Sequence, residues 1–101
     1  MAKVYITEYA RRAVDSYGQS IQAGEEPPVA TQTVAIGAEA KSNAFNVKTT
    51  FVRVHTDAIC SVLFGVNPTA DANSPRMAAN QTEYFAVLPL SGMKLSVITN
   101  T

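Results

Sequence analysis

Residues that build disulfides, metal sites and catalytic groups are scarce in this sequence. It has one cysteine, Cys60, one histidine, His55, and no tryptophan. A single cysteine cannot form an internal disulfide and a zinc site needs several Cys and His ligands, so both are excluded. No apolar run reaches the roughly 18 residues that suggest a membrane-spanning helix. Glu8 comes too early for a signal peptide, so we expect a protein that is used without export and has no membrane partner.

Charged residues are also few. They make up 16% of the 101 residues, against about 25% in typical globular proteins. Lys and Arg total 8 and Asp and Glu total 8, so the formal net charge is zero. A neutral chain presents no general basic field, which argues against nucleic-acid binding. Little charge repulsion separates copies of such a chain, so we expect a partner to cover part of its surface.

The length of the chain fits one compact domain. A pair of prolines divides it into an N-terminal arm, residues 1–28, and a β-rich body, residues 29–101. Proline lacks an N–H and restricts the residue before it, so no helix crosses this point. Within the arm a short helix and extended structure are both open. We favour an extended arm with a turn near Gly18.

The body shows the alternation of apolar and polar residues that is typical of half-buried strands. In one segment Val52 and Val54 are predicted to face inward, and Arg53 and His55 outward. A second segment is apolar on both faces except for one serine, which predicts a covered central strand. The predicted strands are residues 31–36, 50–56, 58–64 (the central strand), 83–87 and 94–98.

Polar and proline-containing segments connect these strands. Asp57 predicts a hairpin turn, residues 88–93 predict a second hairpin, and residues 67–75 predict a longer loop. Short strands joined by polar loops, without a convincing long helix, predict an all-β fold. More specifically, we expect an antiparallel β-sandwich, jelly-roll-like, with an extended N-terminal arm.

No residue pattern indicates an enzyme. His55, Asp57 and Ser61 are residue types found in catalytic triads, but Asp57 is predicted to lie in a turn. No nucleophile elbow or glycine-rich oxyanion loop accompanies them. Cys60 lies in the most apolar segment without a basic neighbour, so we expect a buried, unreactive thiol. The chain is therefore predicted to be non-enzymatic, with no catalytic, cofactor-binding or metal-binding residue.

Contact with other proteins is the function that the composition favours. Three of the four tyrosines lie in the arm, and tyrosine is common where two surfaces meet. The alternative is that these rings cover the edge of the chain's own sheet. Arg76 stands beside Met77, a frequent interface pair, although a solvated loop arginine fits the same pattern. The candidate contact residues are Val4, Tyr5, Ile6, Tyr9, Arg11, Arg12, Tyr17, Arg76 and Met77.

Patterned β segments follow one another along nearly the whole chain. They are Val4-Tyr5-Ile6-Thr7-Glu8-Tyr9, Gln32-Thr33-Val34-Ala35-Ile36, Ala44-Phe45-Asn46, Phe51-Val52-Arg53-Val54-His55-Thr56-Asp57-Ala58, Phe64-Gly65-Val66-Asn67-Pro68-Thr69-Ala70, Arg76-Met77-Ala78-Ala79-Asn80, Glu83-Tyr84-Phe85 and Lys94-Leu95-Ser96-Val97-Ile98-Thr99. The chain thereby resembles small virion proteins encoded among the structural genes of tailed bacteriophages and prophages. It departs from them before the last strand, where Pro89-Leu90-Ser91-Gly92 replaces a Pro-Gly turn.

The resemblance implies a structural part of the virion, most directly a capsid decoration (cement) protein that stabilises the head through oligomeric and lattice contacts. Such proteins are often β-sandwiches with an arm that reaches a neighbour, and trimers at local threefold positions are common. The implied partners are further copies of the chain, as a homotrimer, and the phage major capsid protein. The implied location is the capsid surface, after synthesis in the host cytoplasm. A small head or tail fibre component is also compatible with the resemblance.

A carbohydrate-binding β-sandwich module for host attachment is a separate hypothesis. In that case residues 67–75 recognise a host-surface sugar, with polar contacts from Asp71 and Asn73. The loop has no aromatic residue that could stack on a sugar ring, and the chain has no tryptophan.

Overall fold

The computed structural model of the protein describes residues 2–100, except for the side chain of Gln22. Within this range the regular structure is entirely β, with ten strands in three antiparallel sheets and no helix. The prediction of an all-β chain is therefore confirmed. The strands are β1 (Lys3–Tyr9), β2 (Arg12–Val14), β3 (Ser20–Gly24), β4 (Ala30–Ala35), β5 (Ala40–Lys41), β6 (Phe51–Thr56), β7 (Cys60–Gly65), β8 (Arg76–Met77), β9 (Gln81–Ala86) and β10 (Lys94–Thr99).

The first sheet has the strand order β4-β1-β6-β9, so β1 and β6 are paired on both sides. Alternation along these strands decides which side chains enter the core. Val4 and Ile6 of β1 are buried, and so are Val52 and Val54 of β6. The inward direction predicted for Val52 and Val54 is confirmed.

The second sheet has the order β5-β10-β7-β8, which makes β7 the covered inner strand that its apolar sequence predicts. Cys60 and Val62 of β7 are buried, together with Leu95 and Val97 of β10. These side chains and those of the first sheet form one apolar cluster. The two sheets are therefore compatible with a β-sandwich. Full burial of each valine or leucine contributes roughly 1.5–3 kcal/mol.

The third sheet is a hairpin of β2 and β3 that projects from the sandwich. Its turn is organised by Asp15, whose carboxylate accepts the backbone N–H groups of Tyr17 (2.8 Å) and Gln19 (3.0 Å). Gly18 has a φ of 80°, which a residue without a Cβ adopts at little cost. The turn predicted near Gly18 is confirmed. Residues 14–21 are all exposed, so the tip does not pack on the sandwich.

A separate N-terminal arm over residues 1–28 is not confirmed. Strand β1 lies between β4 and β6, where Val4 and Ile6 join the core, so it belongs to the body of the protein. The alternating apolar residues of β1 are better satisfied inside a two-sided sheet than in solvent. In the described part of residues 1–28, the longest exposed segment is the end of the β2–β3 hairpin, residues 14–21. Met1 and Thr101, the ends of the two predicted regions, lie outside the described residues.

The hairpins predicted at Asp57 and at residues 88–93 are wrong. Strands β6 and β7, on either side of Asp57, belong to different sheets, and so do β9 and β10. Each of these short connections carries the chain across the sandwich, because the apolar faces on both sides close over one core. The antiparallel neighbours β7 and β8 are joined by the longer loop, residues 66–75.

The two ends of the described chain meet at one place. Ile36 donates its backbone N–H to the carbonyl of Ala2 at 3.0 Å. The carbonyl of the next residue, Gly37, accepts the backbone N–H of Thr99 at 2.9 Å. The start of β1 and the end of β10 therefore lie side by side on the connection between β4 and β5.

Candidate functional site

The outer face of the first sheet brings together side chains from distant parts of the sequence. On β1 the residues that alternate with the buried ones are Tyr5, Thr7 and Tyr9. Thr7 is opposite Arg53 of β6, and Tyr5 is opposite His55. Opposite residues in an antiparallel pair have Cβ atoms about 4.5–5.5 Å apart, so these side chains form one continuous surface.

The hairpin covers one end of this face. Tyr9, Phe51 and Tyr84 form an aromatic row, with ring centroids 6.2 Å apart for the first pair and 5.5 Å for the second. The Arg12 guanidinium lies 5.1 Å from the centroid of the Phe51 ring. A Cβ on Gly24 would lie 2.2 Å from the Tyr9 ring, so the glycine backbone rests directly on it. Tyr9 and Phe51 are therefore buried although they lie on the outer face.

Two glutamates that follow β3 hold the base of the hairpin. The Tyr9 hydroxyl donates a hydrogen bond to Glu26 at 2.9 Å. Burial, and then the hydrogen bond and negative charge of Glu26, raise the pKa of Tyr9. Arg11 forms an ion pair with Glu25 at 2.8 Å. That pair is exposed, and such pairs stabilise a protein by about 0–1 kcal/mol.

Beyond the hairpin the outer face forms an open groove of about 790 Å³. This volume is within the range of small-molecule sites. The groove is lined by side chains of β1, β4 and β6 and, just after β6, by Asp57. Its lining includes Tyr5, Thr7, Thr31, Thr33, Arg53 and His55.

Among the lining side chains, His55 and Tyr5 contact neighbouring side chains, whereas Arg53 has no ion-pair partner within residues 2–100. The Nδ1 atom of His55 lies 2.8 Å from the Thr82 hydroxyl, and its Nε2 atom lies 4.0 Å from the Asp57 carboxylate. The Tyr5 ring is tilted against the imidazole with centroids 6.3 Å apart. Within residues 2–100 the half-buried Arg53 guanidinium has no carboxylate partner. The groove therefore contains a cation without an ion-pair partner in the described residues, beside an oriented ring pair.

The inner side of β1 carries a buried carboxylate, Glu8, which is 2% exposed. Its Oε1 atom accepts the backbone N–H of Asn46 at 2.7 Å and the hydroxyl of Thr49 at 2.9 Å. Its Oε2 atom accepts the side-chain amide of Gln32 at 3.1 Å. These hydrogen bonds offset the desolvation of the carboxylate and tie β1 to β4 and to the segment before β6. The Glu8 carboxylate therefore has a structural role.

The predicted contact residues separate into two sets. The buried set is Val4, Ile6, Tyr9 and Met77. The exposed set is Tyr5, Arg11, Arg12, Tyr17 and Arg76. Side chains of the buried set pack within the chain itself, because strand alternation turns them toward the core or the hairpin covers them. Among these nine candidates, a second molecule can reach only the exposed set.

Sequence reasoning does not single out the groove threonines. Thr7, Thr31 and Thr33 occupy alternate positions on β1 and β4, which is the only sequence signal that they share a face. That signal becomes informative once β1 is known to pair with β4.

The fold separates Ser61 from His55, because β7 and β6 belong to different sheets. Ser61 is fully buried in the second sheet, where its hydroxyl accepts the side-chain amide of Asn100 at 2.6 Å. Cys60 lies in the core, where burial raises the pKa of its thiol. Among the described residues, no three His, Cys, Asp or Glu side chains are grouped so that they could hold a metal ion. The same part of the chain contains no helix with the length and apolar character needed to cross a membrane.

No family model, curated protein or solved structure matches the chain. We therefore infer its function from the sandwich, the projecting hairpin and the outer face of the first sheet.

Proposed function

We propose that the protein is a non-enzymatic structural protein of a tailed-phage virion, most directly a capsid decoration (cement) protein that stabilises the head through oligomeric and lattice contacts. The observation that carries this proposal is the projecting β2–β3 hairpin with its exposed apolar tip. In this role the chain forms a homotrimer and binds the phage major capsid protein. It lies on the capsid surface after synthesis in the host cytoplasm.

The hairpin has the properties of a contact element. Tyr17 is 88% exposed, Val14 is 58% exposed and Ile21 is 42% exposed. An isolated two-stranded hairpin is marginally stable in water, and this tip gains no packing from its own sandwich. A neighbouring subunit that covers it would contribute about 25 cal/mol per Å² of apolar surface removed from water.

The strand pairing supports the jelly-roll form of the sandwich. Strands pair outward from the middle of the chain, β7 with β8, β6 with β9 and β5 with β10. A long hairpin folded across two sheets produces this nested pairing. The next pair outward would join β4 to a strand after β10, and here β1 takes that position beside β4. Jelly rolls are found in viral capsid and lectin domains, so the fold alone fits both a virion role and a sugar-binding role.

The other exposed candidates extend the proposed contact surface. Arg11 and Arg12 lie at the base of the hairpin, and Arg76 lies on β8 at the edge of the second sheet. Arginine is frequent in protein interfaces because its planar guanidinium makes several directed hydrogen bonds and also packs on rings. Tyr5 lies apart from these residues, in the groove.

Replacing the apolar tip tests the proposal. The variant Val14→Ser/Tyr17→Ser/Ile21→Ser is compared with Leu88→Ser/Leu90→Ser, which removes exposed side chains from another loop. Circular dichroism checks the fold, light scattering gives the oligomeric state, and co-sedimentation with empty shells of the major capsid protein gives binding. We expect the hairpin variant to lose the trimer and shell binding, and the control to retain both. A hairpin variant that behaves like the wild type would refute the proposal.

The same experiment separates a placement in the tail from one on the head. A tail fibre component would form hairpin-dependent trimers that do not bind shells, whereas a head fibre component would share shell binding with a decoration protein.

The loop-based carbohydrate hypothesis has less support from the geometry. The Asp71 carboxylate accepts the backbone N–H of Asn73 at 2.9 Å, so it organises its own loop. Residues 67–75 offer no aromatic ring for stacking. A glycan-array signal that is lost in Asp71→Ala/Asn73→Ala would favour this hypothesis, and a signal that both substitutions leave intact would exclude the loop as its source.

A further inference from the structure

We infer that the groove on the outer face of the first sheet binds a carboxylate-bearing sugar residue of an acidic polysaccharide. This site goes beyond the shell-binding role and does not depend on it, because it uses the groove and not the hairpin tip. The groove is an open depression of about 790 Å³, a size that accepts a short oligosaccharide.

Arg53 supplies the charge for such a ligand. It stands on an inner strand, opposite Thr7 of β1 and Tyr84 of β9. Asp57, the one acid among the lining residues, accepts the backbone N–H of Lys3 at 3.2 Å and lies 4.0 Å from the His55 imidazole. A guanidinium presents parallel N–H donors that match the two oxygens of a carboxylate. Binding would therefore compensate a half-buried cation that has no partner carboxylate within residues 2–100.

The neighbours of Arg53 match the rest of a sugar. The Tyr5 ring is 42% exposed and is steadied by its tilted contact with His55. An aromatic ring of this kind offers an apolar face for the C–H face of a sugar and a hydroxyl at its edge. The threonine hydroxyls can donate and accept hydrogen bonds and the Asp57 carboxylate can accept them, as sugar hydroxyls require.

Other ligand classes fit the groove less well. A nucleic-acid strand is bound through several cations along its backbone, and the groove lining has a single arginine and no lysine. An extended peptide that adds to a sheet needs an unpaired strand edge. Among the three lining strands β4 has such an edge, but β1 and β6, which carry Tyr5, Arg53 and His55, are paired on both sides. An acidic sugar needs one cation, a ring face and several hydroxyl partners, which is what the groove provides.

Tetragalacturonate, a short oligosaccharide of uronic acids, is the probe for a titration followed by NMR of the isotopically labelled protein at low salt. We expect amide signals of β1, β4 and β6 around the groove to shift, and those of β7 and β10 to stay unchanged. The fully methyl-esterified oligosaccharide has the same rings without the charge. Its affinity should therefore be lower by a factor of about ten or more. Absence of shifts at the groove with millimolar probe, or equal affinity for the ester, would overturn the inference.

Two groove variants and one control assign the binding to named side chains. Arg53→Gln removes the cation and should weaken tetragalacturonate binding by about tenfold or more. Lys48→Gln removes an exposed cation that does not line the groove and should leave the affinity unchanged. If Arg53→Gln disturbs the fold, Tyr5→Ser at an exposed position replaces it and should also weaken binding. Unchanged affinity in a folded groove variant would contradict the assignment.

A tetraglutamate peptide distinguishes a sugar site from a general anion site. It carries several carboxylates but no sugar ring or sugar hydroxyls. We expect it to bind more weakly than tetragalacturonate, since Tyr5 and the threonines would have nothing to contact. Equal binding of the peptide would show that the groove recognises the carboxylate alone and would overturn the sugar assignment.

Discussion

The outer faces of the two sheets are covered to different extents. Pro68 and Ala70, in the loop between β7 and β8, are buried, and Ala70 donates its backbone N–H to the Ser96 hydroxyl of the second sheet at 2.9 Å. On the first sheet the hairpin covers the end that holds Tyr9 and Phe51, and the groove over β1, β4 and β6 is open.

This difference separates polar groups that serve the fold from polar groups that are available to a ligand. Ser96 also donates a hydrogen bond to Glu39, and Ser61 accepts one from Asn100, so both buried serines have partners inside the chain. Burial imposes this condition, because a buried polar group without a hydrogen bond destabilises the fold. The open face has no such requirement, and Arg53 remains unpaired with any acid in the described chain.

The largest loss of stability is expected from removing Glu8, which lies on the inner side of β1. Glu8→Ala removes the acceptor of three hydrogen bonds and leaves their donors partly buried, so the free energy of unfolding should fall by about 3 kcal/mol. Glu83→Ala, at an exposed position of β9, should change it by less than about 0.5 kcal/mol. Urea unfolding measures both variants. Equal stabilities of the two variants would show that the Glu8 network does not support the first sheet.

A smaller loss is expected when the cover of the second sheet is disturbed. Ala70 is 2% exposed, so Ala70→Asp forces a carboxylate against the sheet and should lower the free energy of unfolding by about 2 kcal/mol. Thr69→Asp places the same charge at the neighbouring exposed position and should have little effect. If urea unfolding shows that Ala70→Asp and Thr69→Asp are equally stable, the loop does not pack tightly on the second sheet.

The partial cover of the first sheet can be loosened in a similar way. In Gly24→Ala the new methyl group would overlap the Tyr9 ring, so the hairpin base must move away, at a cost of about 1–2 kcal/mol. Gly37→Ala is the control, because its Cβ would meet no atom within 4 Å. Urea unfolding gives the stabilities and NMR reports the ring environments of Tyr9 and Phe51. Unchanged ring signals in Gly24→Ala would argue against a packed hairpin base.

The smallest effect is an alkaline pH dependence at the same contact. The pKa of Tyr9 is raised, first by burial and then by Glu26, so folding favours the neutral hydroxyl. This contribution to stability is complete below the ordinary tyrosine pKa of about 10 and is lost as pH rises through the folded-state pKa. We expect stability to fall more steeply above about pH 10 in the wild type than in Tyr9→Phe. Parallel pH profiles from denaturant unfolding would argue against this coupling.

Features that depend on neighbouring residues could be predicted from the sequence. The alternation in β6 predicts the inward direction of Val52 and Val54, and the apolar run around Cys60 predicts its burial. The turn at Gly18 follows from local residue preferences.

Features that depend on distant strands could not be predicted. Val4 and Ile6 have the pattern of a strand, but only pairing with β4 and β6 decides that this strand is an inner strand of the first sheet. Asp57 signals a turn without specifying whether the chain returns to the same sheet or crosses to the other one. The groove was missed for the same reason, since its residues become neighbours only through these pairings.

The meeting of Ala2 and Thr99 on the adjacent residues Ile36 and Gly37 means that the backbone runs almost in a closed circle. A short glycine-serine linker from Asn100 back to Ala2 could close that circle, and the exposed turn at Gly18 is a place where it could be reopened. Such a permuted chain would retain every strand pair of the sandwich. The architecture is thus a property of nested pairing and does not depend on which strand is synthesised first.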